Sequence, residues 1–133
     1  MRFILLSTVL FFALSACKKE ESSSSLTGTW ELRQVNGLQV KGASPDIPAG
    51  QGNIVKISDN YFEKYYGDKL VQKSTYKVEK VNLSVNNDVA EYKITFDDDS
   101  YMPSYLLNVE KKKLTIYIGA IASDGVEEIY LRK

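Results

Sequence analysis

The chain has 133 residues, with 17 Lys and Arg against 17 Asp and Glu, no His and one Cys. This length allows one domain, and the balanced, interspersed charges give no electrostatic reason to expect a nucleic-acid partner. The absence of His excludes an imidazole general base, a His-based triad and a His-containing zinc site, and a single Cys forms no intramolecular disulfide.

The N-terminal segment has the pattern of a secretion signal. Arg2 precedes an apolar run over residues 3–14, which is shorter than the roughly 20 residues of a membrane-spanning helix. Residues 14–17 read Leu-Ser-Ala-Cys and resemble a bacterial lipobox, a signal in which the Cys is acylated and becomes the first mature residue. The alternative is an ordinary signal peptide with a Cys nearby. We expect a lipoprotein signal peptide over 1–16 and acylation of Cys17, for instance with palmitate.

A polar stretch follows the Cys and predicts a tether over residues 17–25, before a domain over residues 26–133. Two or three acyl chains would hold the protein firmly, since each buried methylene contributes ~0.8 kcal/mol. Lys18 stands where an Asp suggests inner-membrane retention in some bacteria. The residues after the Cys also resemble the surface-export signal of Bacteroidota lipoproteins. We therefore expect an outer-membrane lipoprotein, and either face of that membrane remains open.

The rest of the chain has no helical period and contains short β-rich runs separated by Gly, Asn, Asp, Ser and Pro. Short connections between successive runs imply an up-and-down antiparallel order, and eight strands can close into a barrel without exposed edges. Such a barrel is filled by side chains or holds one small ligand. The sequence therefore predicts an all-β fold, an eight-stranded up-and-down antiparallel β-barrel. The predicted strands cover residues 28–35, 53–58, 60–66, 70–80, 89–97, 104–110, 113–118 and 126–132.

The two ends of this domain carry a short motif. Gly28 and Trp30 open the first strand as Gly-x-Trp, and Arg132 lies at the end of the last strand. This combination resembles the lipocalin-like lipoproteins of the Bacteroidota. The resemblance implies that Arg132 stacks over Trp30 and that Gly28 allows a tight turn at the closed end. Vertebrate-type lipocalins have a C-terminal helix, further motifs and disulfides that this shorter chain lacks, so we expect a smaller cavity, a shallower one or none.

Strand order decides which connections share an end of the barrel. Residues 58–60, 81–88 and 110–113 are predicted at the closed end, and residues 36–52, 67–69, 98–103 and 119–125 at the open end. The connection over 36–52 is long. In the lipocalins, the corresponding first long connection covers the cavity. Two interpretations remain open: the apolar residues of the open end form a portal or partner surface, or they fold inward and plug the barrel. These residues are Leu38, Val40, Ile47, Tyr101, Met102 and Ile121.

Other candidate sites are weaker. The acidic run 97–100 offers oxygens to Ca²⁺, but it lacks the Gly and the distal Glu of an EF-hand loop, and an acidic hairpin tip is favoured. The chain has no nucleophile with an adjacent base, and the spacing of Glu63, Glu91 and Glu128 does not single out a catalytic carboxylate pair. We expect no enzyme activity, no cofactor and no metal site.

These patterns together predict a monomeric, lipid-anchored, lipocalin-like protein of the bacterial envelope. Its expected role is to bind a small hydrophobic ligand or to act as an accessory to envelope proteins. The alternative is a protein-interaction module that docks through its open-end loops, and a carboxylate-based enzyme is a minor alternative.

Overall fold

The fold is a closed β-barrel in the computed structural model, which describes residues 25–98 and 104–133. Within these residues, eight antiparallel strands follow one another around the barrel in sequence order, and the last strand pairs with the first. The predicted all-β, eight-stranded up-and-down architecture is therefore confirmed. The strands are β1 (Gly28–Asn36), β2 (Ile54–Ile57), β3 (Tyr61–Tyr66), β4 (Lys69–Val85), β5 (Asp88–Phe96), β6 (Ser104–Glu110), β7 (Lys113–Ile118) and β8 (Val126–Arg132).

Alternation along the strands builds the core. In β5, for example, Tyr92 and Ile94 are buried while Glu91 and Thr95 are exposed, as expected when successive side chains point to opposite faces. The inward residues of all the strands join one apolar cluster inside the barrel. Its largest fully buried members are Trp30, Tyr130, Phe62, Leu26, Leu32, Ile94, Leu107, Leu114, Ile116 and Val55.

β4 is longer than predicted, because the connection expected over residues 81–88 is mostly strand. Residues 83–85 pair with residues 88–90, which leaves Asn86 and Asn87 as a two-residue turn. Both Asn residues have positive φ, 50° and 65°, the values that tight hairpin turns require and that Asn tolerates well.

The end of this β4–β5 hairpin leaves the barrel wall and crosses the outside of β6. A bulge interrupts β4 before Leu83, and the backbone ladder between β5 and β6 stops at Tyr92. The Asn108 side chain replaces the missing ladder, because its Oδ1 accepts the Glu91 N–H (2.7 Å) and its Nδ2 donates to the Val89 carbonyl (2.7 Å).

The hairpin tip consequently reaches the loop between β7 and β8. The Asn86 Oδ1 accepts the backbone N–H of Ile121 at 2.9 Å, and Asp88 accepts a short hydrogen bond from the Tyr117 hydroxyl. The prediction that this connection lies at the closed end is therefore wrong for the tip. The covering hairpin also explains why Thr115 and Tyr117 are buried although they alternate with core residues of β7.

The first long connection, residues 37–53, partly continues the sheet. The Ile47 N–H donates to the Arg33 carbonyl and the Val35 N–H donates to the Pro45 carbonyl, both at 2.8 Å. This segment therefore lies beside the upper half of β1, where the short strand β2 no longer pairs with it.

Candidate functional site

The closed end of the barrel is built around Trp30. Its ring is fully buried, its Nε1 donates to the Leu26 carbonyl (2.9 Å), and the Arg132 guanidinium carbon lies 4.1 Å from the ring centroid. Gly28 has a φ of 150°, and the Arg132 guanidinium fills the space that a Cβ there would need. The structure thus brings Gly28, Trp30 and Arg132 together. It adds Leu26, whose buried side chain was not singled out from the sequence.

An ion pair crosses the interior of the barrel between β3 and β8. The Lys64 Nζ lies 2.7 Å and 3.0 Å from the two carboxylate oxygens of Glu128. These strands are not neighbours in the sheet, and the two residues alternate in phase with Phe62 and Tyr130, which are buried in the core. The pair therefore lies inside the barrel.

This ion pair lies close to the open end. Lys64 is one inward position from Tyr66, the exposed last residue of β3, and Glu128 is one inward position from Val126, the first residue of β8. The Lys64 and Glu128 side chains keep 12% and 10% of their surface exposed. Because both side chains point into the barrel, solvent reaches them through its mouth.

Tyr130 also contacts the ion pair, because its hydroxyl donates a hydrogen bond to Glu128 Oε2 at 2.7 Å. Burial, followed by the nearby Glu128 carboxylate, raises the pKa of Tyr130 well above its usual value, so the hydroxyl stays protonated and remains a donor. Glu128 occupies two of the three N–H groups of Lys64, and the third has no hydrogen-bond partner among the described residues.

Two further polar side chains adjoin the pair. Gln72 lies opposite Lys64 in the β3–β4 ladder, and its Oε1 accepts the Tyr105 hydroxyl at 3.2 Å. The Tyr105 ring packs against Phe62 and Phe96, with ring centroids 6.1 Å and 5.1 Å away. The interior therefore offers hydrogen-bonding groups beside an aromatic wall, an arrangement typical of small-molecule sites. We call this set the interior polar cluster: Lys64, Gln72, Tyr105, Glu128 and Tyr130.

This cluster was not predicted as a site from the sequence. Strand alternation does place Lys64 on the same face as Phe62, and Glu128 on the same face as Tyr130. The sequence therefore shows that one positive and one negative side chain point into the barrel. It does not show that these two side chains contact each other.

The acidic residues considered for catalysis are not brought together. Glu63 lies on the outer face of β3, where it pairs with Lys73 at 2.9 Å, and the hydrogen bond from Lys73 lowers the pKa of Glu63. Glu91 is exposed on β5. Glu128 points inward to Lys64, so these three side chains form no carboxylate pair.

The predicted portal residues occupy different surroundings. Leu38 and Val40 are exposed, at 46% and 66%, while Ile47 is half-buried against the apolar core. Ile121 is half-buried in a 3₁₀ helix, Ile121–Ser123, that is tied to the β4–β5 hairpin. Tyr101 and Met102 lie outside the described residues.

The remaining predicted sites are only partly described. Cys17 and the last two residues of the acidic run 97–100 lie outside the described part of the chain. Asp97 accepts a hydrogen bond from the Thr75 hydroxyl at 2.7 Å. Within residues 25–98 and 104–133, no three acidic or Cys side chains are grouped to hold a metal ion.

Comparison of the chain with protein-family models, curated proteins and solved structures gives no match. Among the described residues, no helix is both long enough and apolar enough to cross a membrane.

Proposed function

We propose that the protein is an outer-membrane-anchored lipoprotein whose lipocalin-like barrel binds a small ligand that enters through the open end. The observation that carries the proposal is the Lys64–Glu128 ion pair inside the barrel, one inward position below the rim. Replacing a buried ion pair by apolar residues is often neutral or stabilising, so stability alone does not explain why the pair lies inside the barrel. Binding of a polar group of a ligand would explain it.

The surroundings of the pair favour a ligand with a polar head group and an apolar body. An acceptor oxygen on the head group would take the remaining N–H of Lys64. The apolar body would lie against the half-buried Val35, Ile47 and Ile118, which border the core and lie toward the open end of β1, of the first connection and of β7. This extends the sequence-based expectation of a hydrophobic ligand to an amphipathic one.

Titration of the mature chain carrying Cys17→Ser with a dansyl-labelled undecanoate tests ligand binding. We expect saturable fluorescence enhancement, and at least roughly tenfold weaker binding in the variant K64M/E128Q, because a hydrogen bond to a charged group is lost. The matched control is the variant E63Q/K73M, which removes the outer-face ion pair between Glu63 and Lys73, leaves the barrel interior unchanged and should bind as the parent does. Absence of saturable binding, or equal affinity in all three proteins, would contradict the proposal.

Acylation of Cys17 is tested separately in the native bacterium. Metabolic labelling with palmitate should mark the parent chain and place it in the membrane fraction, whereas the variant Cys17→Ala should lose both the label and the membrane association. A Cys17→Ala chain that is still labelled would refute this attachment point.

A second candidate function is protein docking through the open end. Large apolar side chains are exposed on the first long connection and at the β3–β4 hairpin, namely Leu38, Val40, Tyr66, Leu70 and Val71. A photo-crosslinking residue at position 70 should then capture one discrete envelope protein, and the same residue at position 60, in the β2–β3 turn at the closed end, should not. Identical products from both positions, or none from position 70, would count against docking at this end.

A further inference from the structure

The first described residues lie at the closed end of the barrel. The Arg132 guanidinium donates to the Ser25 carbonyl (2.6 Å) and to the Thr27 carbonyl (2.8 Å). Only eight residue steps separate Ser25 from Cys17, so the chain between them spans at most about 28 Å whatever its conformation. If Cys17 is acylated, the closed end therefore lies within that distance of the bilayer.

The same end carries three consecutive exposed lysines, Lys111 and Lys112 in the turn between β6 and β7 and Lys113 at the start of β7. The Lys112 carbonyl accepts the Arg132 backbone N–H at 2.8 Å, which places the turn directly beside the residue that holds Ser25. Lys113 pairs with Glu110 at 3.2 Å. Lys111 and Lys112 form no ion pair with any described residue.

The charge at this end is not entirely positive. Asp59, in the β2–β3 turn, is the exposed acidic residue of the neighbouring closed-end connection. Against it stand the exposed Lys111 and Lys112. The balance on the side where the chain leaves toward Cys17 is therefore cationic.

We propose that the closed end is a docking surface for an anionic bilayer, with Lys111 and Lys112 on the lipid head groups, so that the mouth of the barrel opens away from the membrane. This inference rests on the acylation of Cys17 in the proposed function, because the tether brings the lysines to the surface. A bilayer is favoured over an acidic protein as the occupant because the tether exit and the lysines share one end. Each lysine near an anionic surface contributes roughly a fivefold gain in membrane affinity.

Vesicle sedimentation of the unacylated mature chain, Cys17→Ser, tests the charge contribution. At low ionic strength we expect binding to phosphatidylglycerol-containing vesicles and not to phosphatidylcholine vesicles. The variant K111E/K112E, which reverses both charges, should lose at least roughly 25-fold in affinity. The matched control is K41E/K69E, the same charge change on two exposed lysines at the open end, and it should bind as the parent does. Equal losses in both variants, or no preference for anionic vesicles, would overturn the proposal.

Energy transfer from the acylated protein to a lipid-borne acceptor tests the orientation. Acylation occupies the natural thiol, so Asn60→Cys at the closed end and Lys41→Cys at the open end can each be labelled alone. The nine residues of β1 and the usual strand tilt give a barrel roughly 20–25 Å tall, so transfer should be much stronger from position 60. Equal transfer from both positions would overturn the orientation, whereas an intact mass without acyl chains would identify a failure of the anchor instead.

Discussion

Replacing Lys64 by Met removes the ammonium but keeps a side chain of similar length, and so leaves the Glu128 carboxylate inside the barrel without its cation. Breaking a buried ion pair in this way costs about 3–5 kcal/mol. Here each side chain keeps about a tenth of its surface exposed, and Tyr130 still donates to Glu128. We therefore expect the lower end of that range, a loss of about 3 kcal/mol in the free energy of unfolding.

The second variant in this series, K64M/E128Q, replaces the charged pair by neutral groups, and the new amide oxygen can still accept the Tyr130 hydroxyl. It should regain at least about 2 kcal/mol of the loss, because no uncompensated charge remains in the interior. Urea unfolding followed by the fluorescence of Trp30, the sole Trp and fully buried, measures these differences.

The outer-face variant Lys73→Met is the control for this series, because an exposed ion pair contributes little to stability and its unfolding midpoint should stay close to that of the parent. If Lys64→Met were no more destabilising than Lys73→Met, or if K64M/E128Q regained none of the stability lost in Lys64→Met, the assignment of a buried, charge-compensated pair would be refuted.

Three further outcomes follow from other parts of the barrel. Arg132→Ala should cost about 2–3 kcal/mol, because two carbonyls lose their donors and Trp30 loses its cover; an unchanged melting temperature and Trp emission would contradict this. Asn108→Ala should loosen the β4–β5 hairpin and speed amide exchange over residues 83–90, because its side chain replaces the ladder there; unchanged exchange would argue against that role. Alkaline titration of the folded protein should leave three tyrosines protonated above the usual tyrosine pKa of about 10, because burial raises their pKa values. Since the raised pKa favours the protonated folded state, the stability from these groups is intact below about pH 10 and falls above it. Tyrosinate absorbance measures this, and complete ionisation of the tyrosines of the folded protein near pH 10 would contradict it. The three are Tyr76, Tyr117 and Tyr130.

Much of the barrel could be predicted from local patterns. The last three strands coincide with their predicted ranges, for example Val126–Arg132 for β8, because alternation and short charged or Gly-containing turns mark both boundaries. Strand order then follows from the shortness of the connections. The same reasoning places Trp30 and Arg132 at one end, since the first and last strands of a closed sheet are neighbours.

The path of the β4–β5 hairpin could not be predicted in the same way. Its bulge before Leu83 interrupts the alternation on which a strand assignment depends. Its course across β6 depends on Asn108, a side chain distant in sequence that substitutes for backbone pairing. No local sequence pattern marks such a replacement, because Asn also occurs commonly in turns.

The interior polar cluster illustrates a different limit. Alternation identifies Lys64 and Glu128 as inward-facing, but which inward positions of β3 and β8 meet depends on the tilt and stagger of the whole barrel. The two strands are separated by β1 and β2, so no pairwise register relates them. The same sequence pattern is compatible with a charged side chain that lies at the rim of the barrel and is hydrated by water.

Amide chemical-shift mapping of the Cys17→Ser mature chain during titration with dodecanoate, below the concentration at which the fatty acid forms micelles, locates any bound ligand on the barrel. The proposed function predicts saturable shifts centred on Lys64, Glu128 and Tyr130 and extending to the open end, with contacts between ligand protons and Val35 or Ile118. Shifts confined to the outer face or to the closed end, or no saturable shifts at all, would contradict it.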